Sequence, residues 1–225
     1  MSGWVLPALG VACGAVLLGL RWYERSRPSP RVLALVATLA ALAAIGRVAF
    51  APLPNVKPTT DIVLVAGFVL GPAPGFAVGA FAALTSNVLF GQGPWTPWQM
   101  LAWGLCGLIG AGLGAATRGR AGRWTLALTC AAAGLLFGLV MNLSTWLTFS
   151  GEPSDGLLLL LGTALPYDLA HAAGNLVLAL LFGPAAIVAL RRSARRRDGR
   201  FVAADAFDAE ASCAPPSVSP AGAAR

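Results

Sequence analysis

Charge is what this sequence has least of. Only 11% of its 225 residues are Asp, Glu, Lys or Arg, against 57% hydrophobic, and mean hydropathy is +0.73. A soluble domain carries about 25% charged residues, so a water-soluble core is excluded. Between Asp61 and Arg118 stand fifty-six consecutive residues with none of the four, where one membrane span needs only about twenty apolar residues. Four cysteines, Cys13, Cys106, Cys130 and Cys213, form no CxxC pair, which argues against a zinc site or a disulfide framework. A phosphate loop of the form G-x-x-x-x-G-K-[ST] is missing as well, so any ATP-driven step belongs to another chain.

What is present is Ala, Leu and Val in long runs, with twenty-seven glycines. That composition indicates closely packed helices rather than the alternating pattern of an outer-membrane barrel. The chain reads as an all-α integral membrane protein. Its net charge of +7 would suggest nucleic acid in a soluble protein. Here the basic residues instead flank apolar runs: Arg21, Arg25, Arg27 and Arg31; Arg118, Arg120 and Arg123; and Arg191, Arg192, Arg195, Arg196 and Arg197. Such clusters encode orientation and mark the cytoplasmic side, so nucleic acid is not an expected partner.

Residues 3 to 20 are apolar, lack a basic leader and precede a basic cluster, the reverse of a secretory signal peptide. They read as an N-out anchor helix. Residues 32 to 50 form a second span, in which Arg47 is expected to snorkel to the headgroups. The charge-free stretch is broken at Gly71-Pro72-Ala73-Pro74-Gly75 and at Gly91-Gln92-Gly93-Pro94-Trp95-Thr96-Pro97, because proline lacks the helical donor and glycine favours turns. The piece from about Pro58 to Leu70 is short, and fusing it with the next into one kinked helix is the alternative. Parity favours a separate crossing, since only then do all basic clusters face one side. Residues 124 to 149 run outward, the acidic loop Ser150 to Gly156 follows with Glu152 and Asp155, and a last helix returns from about Pro166 to Leu190. Seven crossings follow, N-out with the C-terminus cytoplasmic, in a cell membrane. Three regions result: 1–30, an N-terminal transmembrane helix with a basic loop; 31–197, a membrane domain; and 198–225, a tail expected to be disordered.

Polar residues inside the spans gather toward the outside. Asn87 ends one helix, and Gln92, Trp95, Trp98 and Gln99 occupy the loop and helix start that follow. Asn142 and Trp146 lie one turn apart on the next helix, and Asp168, His171 and Asn175 share a face of the last. Each alone could be helix-to-helix glue. Together they favour a ligand cavity with Trp95, Trp98 and Trp146 available for stacking; Trp4, Trp22 and Trp124 read as interface anchors. Asp168 and His171 are two ligands without a third, so no metal is expected, and Ser144 lacks a glycine-flanked nucleophile motif. No cofactor is indicated. Small residues form stripes: Gly71, Gly75, Gly79 and Ala83; Gly104, Gly107, Gly110 and Gly114; and Ala37 with Ala41, Ala40 with Ala44. Such stripes serve internal packing or a partner helix.

Several of these segments, taken in order, resemble the substrate-binding S components of energy-coupling factor (ECF) vitamin transporters. They are Pro58-Thr59-Thr60-Asp61, Leu70-Gly71-Pro72-Ala73-Pro74-Gly75, Ser86-Asn87, the aromatic loop Gly91 to Gln99, and Leu165-Pro166-Tyr167-Asp168 with Asn175 and a terminal basic run. The resemblance covers roughly Val32 to Arg197. It implies a six-helix bundle, here with one extra N-terminal helix. The bundle would capture a vitamin or related micronutrient for import by a membrane coupling subunit and two ATPase subunits. It also implies that Ala37, Ala40, Ala41 and Ala44 meet the coupling subunit. The Gly91–Trp98 loop looks most like members associated with cobalamin, although queuosine precursors are similar candidates. Against this binding role stands a membrane-embedded enzyme using Asp168 and His171.

Overall fold

A computed structural model describes residues 5–149 and 156–212, with side chains as far as residue 194. Seven helices follow one another: α1 (Val5–Arg25), α2 (Pro30–Ala49), α3 (Thr59–Leu70), α4 (Pro72–Phe90), α5 (Thr96–Ala116), α6 (Arg123–Phe149) and α7 (Leu157–Ser212). All except α3 contain a stretch long and apolar enough to cross a bilayer. The chain is a multi-pass helical membrane protein.

Two boundaries differ from expectation at α7. The last helix begins at Leu157 rather than near Pro166, and both Pro166 and Pro184 lie inside it. A leucine run before Pro166 supplies apolar surface that the bilayer holds helical despite the lost donor. At the other end the helix continues to Ser212, through a stretch expected to be disordered. Alanine and arginine are strong helix formers, and adding residues to an existing helix avoids the cost of nucleation. Residues 213–225, with Cys213, lie outside the described residues, as do Glu152 and Asp155.

The short helix α3 occupies the centre. Nine of its twelve residues are buried, and it packs against α2, α4, α5, α6 and α7. What admits it is glycine. A methyl group on Gly67 would run into the carbonyl oxygen of Gly107, and one on Gly107 into that of Gly75; one on Gly110 would meet Leu64. The stripes of α4 and α5 are therefore spent inside the bundle. Gly71, with φ of +95°, turns the chain sharply between α3 and α4, a conformation that glycine adopts without penalty. Because Gly67 and Gly75 then face each other across the turn, α3 and α4 are an antiparallel hairpin and not one kinked helix.

That reversal collects the basic residues at one end. Nη2 of Arg191 donates to the carbonyl of Gly119 at 2.6 Å, and its guanidinium lies over Phe68, near the Gly71 turn. Gly19 of α1 packs on Phe76 of α4, close to the same turn, which brings the Arg21–Arg31 segment to that end too. The loops 50–58 and 91–95 lie at the opposite end. Helix α1 packs on α4 and α5.

Gly107→Val should lower stability by on the order of 1–3 kcal/mol or prevent folding, since backbone cannot yield as a side chain can. A methyl on Gly112 meets nothing, so Gly112→Ala should keep stability or raise it by up to ~1 kcal/mol through helix propensity. Thermal unfolding in detergent distinguishes the two.

Candidate functional site

The fold makes a polar cavity of about 560 Å³ at the end away from the arginine clusters, lined by α2, the 50–58 loop, α5, α6 and α7. It exists because α3 starts deep. The hydroxyl of Thr59 donates to the carbonyl of Ala43 at 3.1 Å. That residue is six short of the end of α2, or ~9 Å below it at ~1.5 Å per residue. Above this point the loop folds inward and is tied to α7 by Asn55, whose Nδ2 donates to the carbonyl of Tyr167 at 2.8 Å.

The floor is aromatic. Trp103 stacks on Phe137 with centroids 4.6 Å apart, and Phe137 meets His171 edge-on at 5.3 Å. Thr60 locks this group from below: it accepts the indole N–H of Trp103 at 3.2 Å and shares a 3.0 Å hydrogen bond with Nε2 of His171. On the far wall Nδ2 of Asn142 donates to Oδ2 of Asp168 at 2.8 Å. Gly138 makes room for that carboxylate, because a side chain there would strike it, and Gly134 does the same for Asn175.

Two cations face these groups. Lys57 is half-buried on the loop, and burial together with the nearby Arg47 guanidinium pulls its ammonium below the usual lysine range. Arg47 does not snorkel: it is 8% exposed. Its Nη1 donates to Oγ of Ser86 at 2.6 Å and to Oδ1 of Asn87 at 2.7 Å, and the guanidinium lies 4.5 Å from the Phe90 ring centre and 5.2 Å from that of Trp103. Acceptors on α4 at the same depth, with two aromatic faces, replace the water that snorkelling would seek.

Of the expected ligand residues, Asn142, Asp168 and His171 line the cavity, as does Gln99 from the same polar group, whereas Asn87, Gln92, Trp95, Trp98, Trp146 and Asn175 do not. Asn87 stands behind Arg47, and its Nδ2 is used by Thr96 and Gln99. Gln92 donates to the carbonyl of Leu84 and accepts from Thr96, closing the loop. Trp95 covers Gly93, and Trp98 is buried elsewhere in the bundle. Trp146 is partly buried away from the lining. Asn175 lies deeper, donating to the carbonyl of Cys130 at 3.4 Å. The physical reason is helical phase: Gln99 and Trp103, four residues apart, share the face of α5 that meets the cavity, whereas Trp98 is turned about 100° from Gln99. Arg47, Lys57 and Trp103 thus replace Asn87, Trp95 and Trp98. Trp95 and Trp98 stand beside a Gly- and Pro-rich polar turn, a compositional signal that Trp103, within a plain apolar run, lacks.

A second intramembrane acid, Asp61, lines a separate apolar crevice with Cys130, α2 and α7. It is 9% exposed and sits against the Cys130 thiol. Among the described residues no three His, Cys, Asp or Glu side chains converge as a metal would require.

Fold and cavity together define a helical membrane protein with a small, mixed-polarity pocket open at one end of the bundle. The chain belongs to DUF6580, a family of unknown function, whose model matches residues 26–196. The match begins just after α1 ends. No curated protein and no solved structure matches the chain.

Asn87→Leu should destabilise the protein by on the order of 1–3 kcal/mol, because Arg47 and Gln99 would each lose a buried partner. Gln92→Ala, on the exposed loop, should cost far less by thermal unfolding.

Proposed function

We propose that this protein is the substrate-binding subunit of an ECF-type importer, capturing a vitamin or related micronutrient for ATP-driven uptake by a membrane coupling subunit and two ATPase subunits. The observation that carries this reading is the cavity, where Arg47, Lys57, Asn142 and Asp168 surround a Trp103–Phe137 floor. A flat compound bearing an anionic group complements it: the ring stacks, the two cations take the anion, and Asp168 and Asn142 receive polar substituents. Ligand pockets commonly measure ~300–1,000 Å³, and about 560 Å³ falls inside that range. Cobalamin, far larger than drug-sized ligands, would need the cavity to widen, so the volume favours a smaller micronutrient. With the arginine clusters facing the cytoplasm, as basic loops usually do, the cavity opens outward.

An enzyme built on Asp168 and His171 has less support. Their hydrogen bonds go to different partners, Asn142 and Thr60, so neither prepares the other for proton transfer. Mass spectrometry of compounds extracted from the purified protein separates the readings: an unchanged bound micronutrient supports uptake, and turnover by the isolated chain refutes it. Orientation is checked by single-cysteine labelling in intact cells, with positions 119 and 193 protected and position 93 reactive. Ser154, a further external position, lies outside the described residues.

Lys57 supplies a pH test. Burial and the nearby Arg47 guanidinium make its ammonium lose the proton below the usual lysine range, so affinity for an anionic ligand should fall with rising pH at a lower pH than an ordinary lysine would allow. Lys57→Arg should carry binding to higher pH, and Trp103→Ala should weaken it by on the order of 1–3 kcal/mol. Titration calorimetry across pH with the extracted compound reads both.

The alanine stripe supports a partner surface in part. Ala37 and Ala41 are exposed on α2 and Ala44 is partly so, but Ala40 is 3% exposed and packs inside, since its phase points at α3 and α4. Ala37→Leu with Ala41→Leu should leave ligand binding intact and abolish uptake and copurification with a coupling subunit. Normal transport by that variant would remove this surface from the proposal.

A further inference from the structure

We propose that the basic end of the bundle holds a headgroup site for an anionic phospholipid. A cavity of about 340 Å³ opens there between the α5–α6 connection and α7, with Arg120, Arg123 and Arg191 around an apolar side that includes Phe68, Pro184 and Ile187. No acidic side chain lines it among the described residues. Three positive charges therefore converge without a counter-ion from the lining.

Two of the three are held in place. Arg191 donates from Nη2 to the carbonyl of Gly119 at 2.6 Å and lies 5.5 Å from the centre of the Phe68 ring. Arg123 donates from Nε and Nη2 to the carbonyl of Leu180 at 3.2 and 3.0 Å. A guanidinium has five N–H groups in a rigid fork, so each keeps donors beyond these bonds. Arginines already anchored to backbone lose little freedom when they bind, which favours affinity. Planar guanidinium suits a phosphate geometrically as well as by charge.

Position selects lipid over a soluble anion. The connection joins the ends of two apolar spans, α5 and α6, so the arginines stand at the boundary between hydrocarbon and water. Phe68, Pro184 and Ile187 then offer the apolar side to the glycerol and upper acyl region while the phosphate meets the arginines. Basic pockets between transmembrane helices at this level recognise anionic headgroups. The inference rests neither on the importer reading nor on which way the bundle faces.

Native mass spectrometry of the full chain, released from micelles containing equal phosphatidylglycerol and phosphatidylcholine, tests it. Phosphatidylglycerol should be retained with about tenfold or greater preference, at one saturable site. Replacing Arg120, Arg123 and Arg191 together by Gln should remove the preference. Replacing Arg21, Arg25 and Arg27 by Gln deletes the same charge outside the cavity and should preserve it. Equal loss in the two triple variants would reduce the effect to diffuse surface charge and overturn the proposal. Full displacement of the lipid by millimolar inorganic phosphate would assign the site to a soluble anion and overturn it too. Should the first triple variant fail to fold, Arg120→Gln alone, at an exposed position, should still lower retention about fivefold; unchanged retention would refute the site.

Discussion

Backbone meeting backbone among α3, α4 and α5 is the constraint on which the rest depends. In a bilayer, apolar side chains gain little by leaving lipid for a protein interior, so helix association rests on contact area and close approach. Gly67, Gly75 and Gly107 supply that approach by omitting the atoms that would separate the helices. Once the three are in contact, α3 is held at the centre with almost no lipid-facing surface, and the other helices arrange themselves around it.

A helix of twelve residues spans only ~18 Å, well short of a hydrocarbon core of ~30 Å. The missing length becomes the cavity. Because α3 is seated toward the basic end, its N-terminal residues Thr59 and Thr60 lie well inside the bundle. There Thr60 can tie Trp103 and His171 together. A full-length helix in this place would fill the space with side chains. The irregular 50–58 loop is acceptable at this depth because it lines a polar cavity and not lipid.

Burying Arg47 is the electrostatic counterpart of this arrangement. A guanidinium inside a bilayer is costly unless its donors are used, and Ser86 and Asn87 use two of them while leaving it over aromatic faces. The same network fixes the end of α4 to the start of α5 through Thr96 and Gln99. Asp168 has a milder setting, with one hydrogen bond from Asn142. Positive charge thus outweighs negative in the cavity wall, which shapes the ligand chemistry proposed above.

Much of the architecture was legible in the chain alone. Hydropathy located the spans because lipid demands a continuous apolar run whatever the neighbours are, and Gly71-Pro72 announced a turn through local backbone chemistry. Arginine clustering gave one basic end, since helix reversals leave little freedom once spans are counted. Asp168, Asn142 and His171 were recognisable as cavity residues because intramembrane polar groups require partners. Which partners they take was not recognisable. Whether Arg47 reaches water or Asn87, whether Trp98 or Trp103 faces the cavity, and whether Ala40 looks outward all depend on helix rotation about its own axis. Rotation follows from which side chains and bare backbones meet across helices far apart in sequence. A uniformly apolar helix carries almost no periodic signal to report it, so the tertiary packing alone decided those faces.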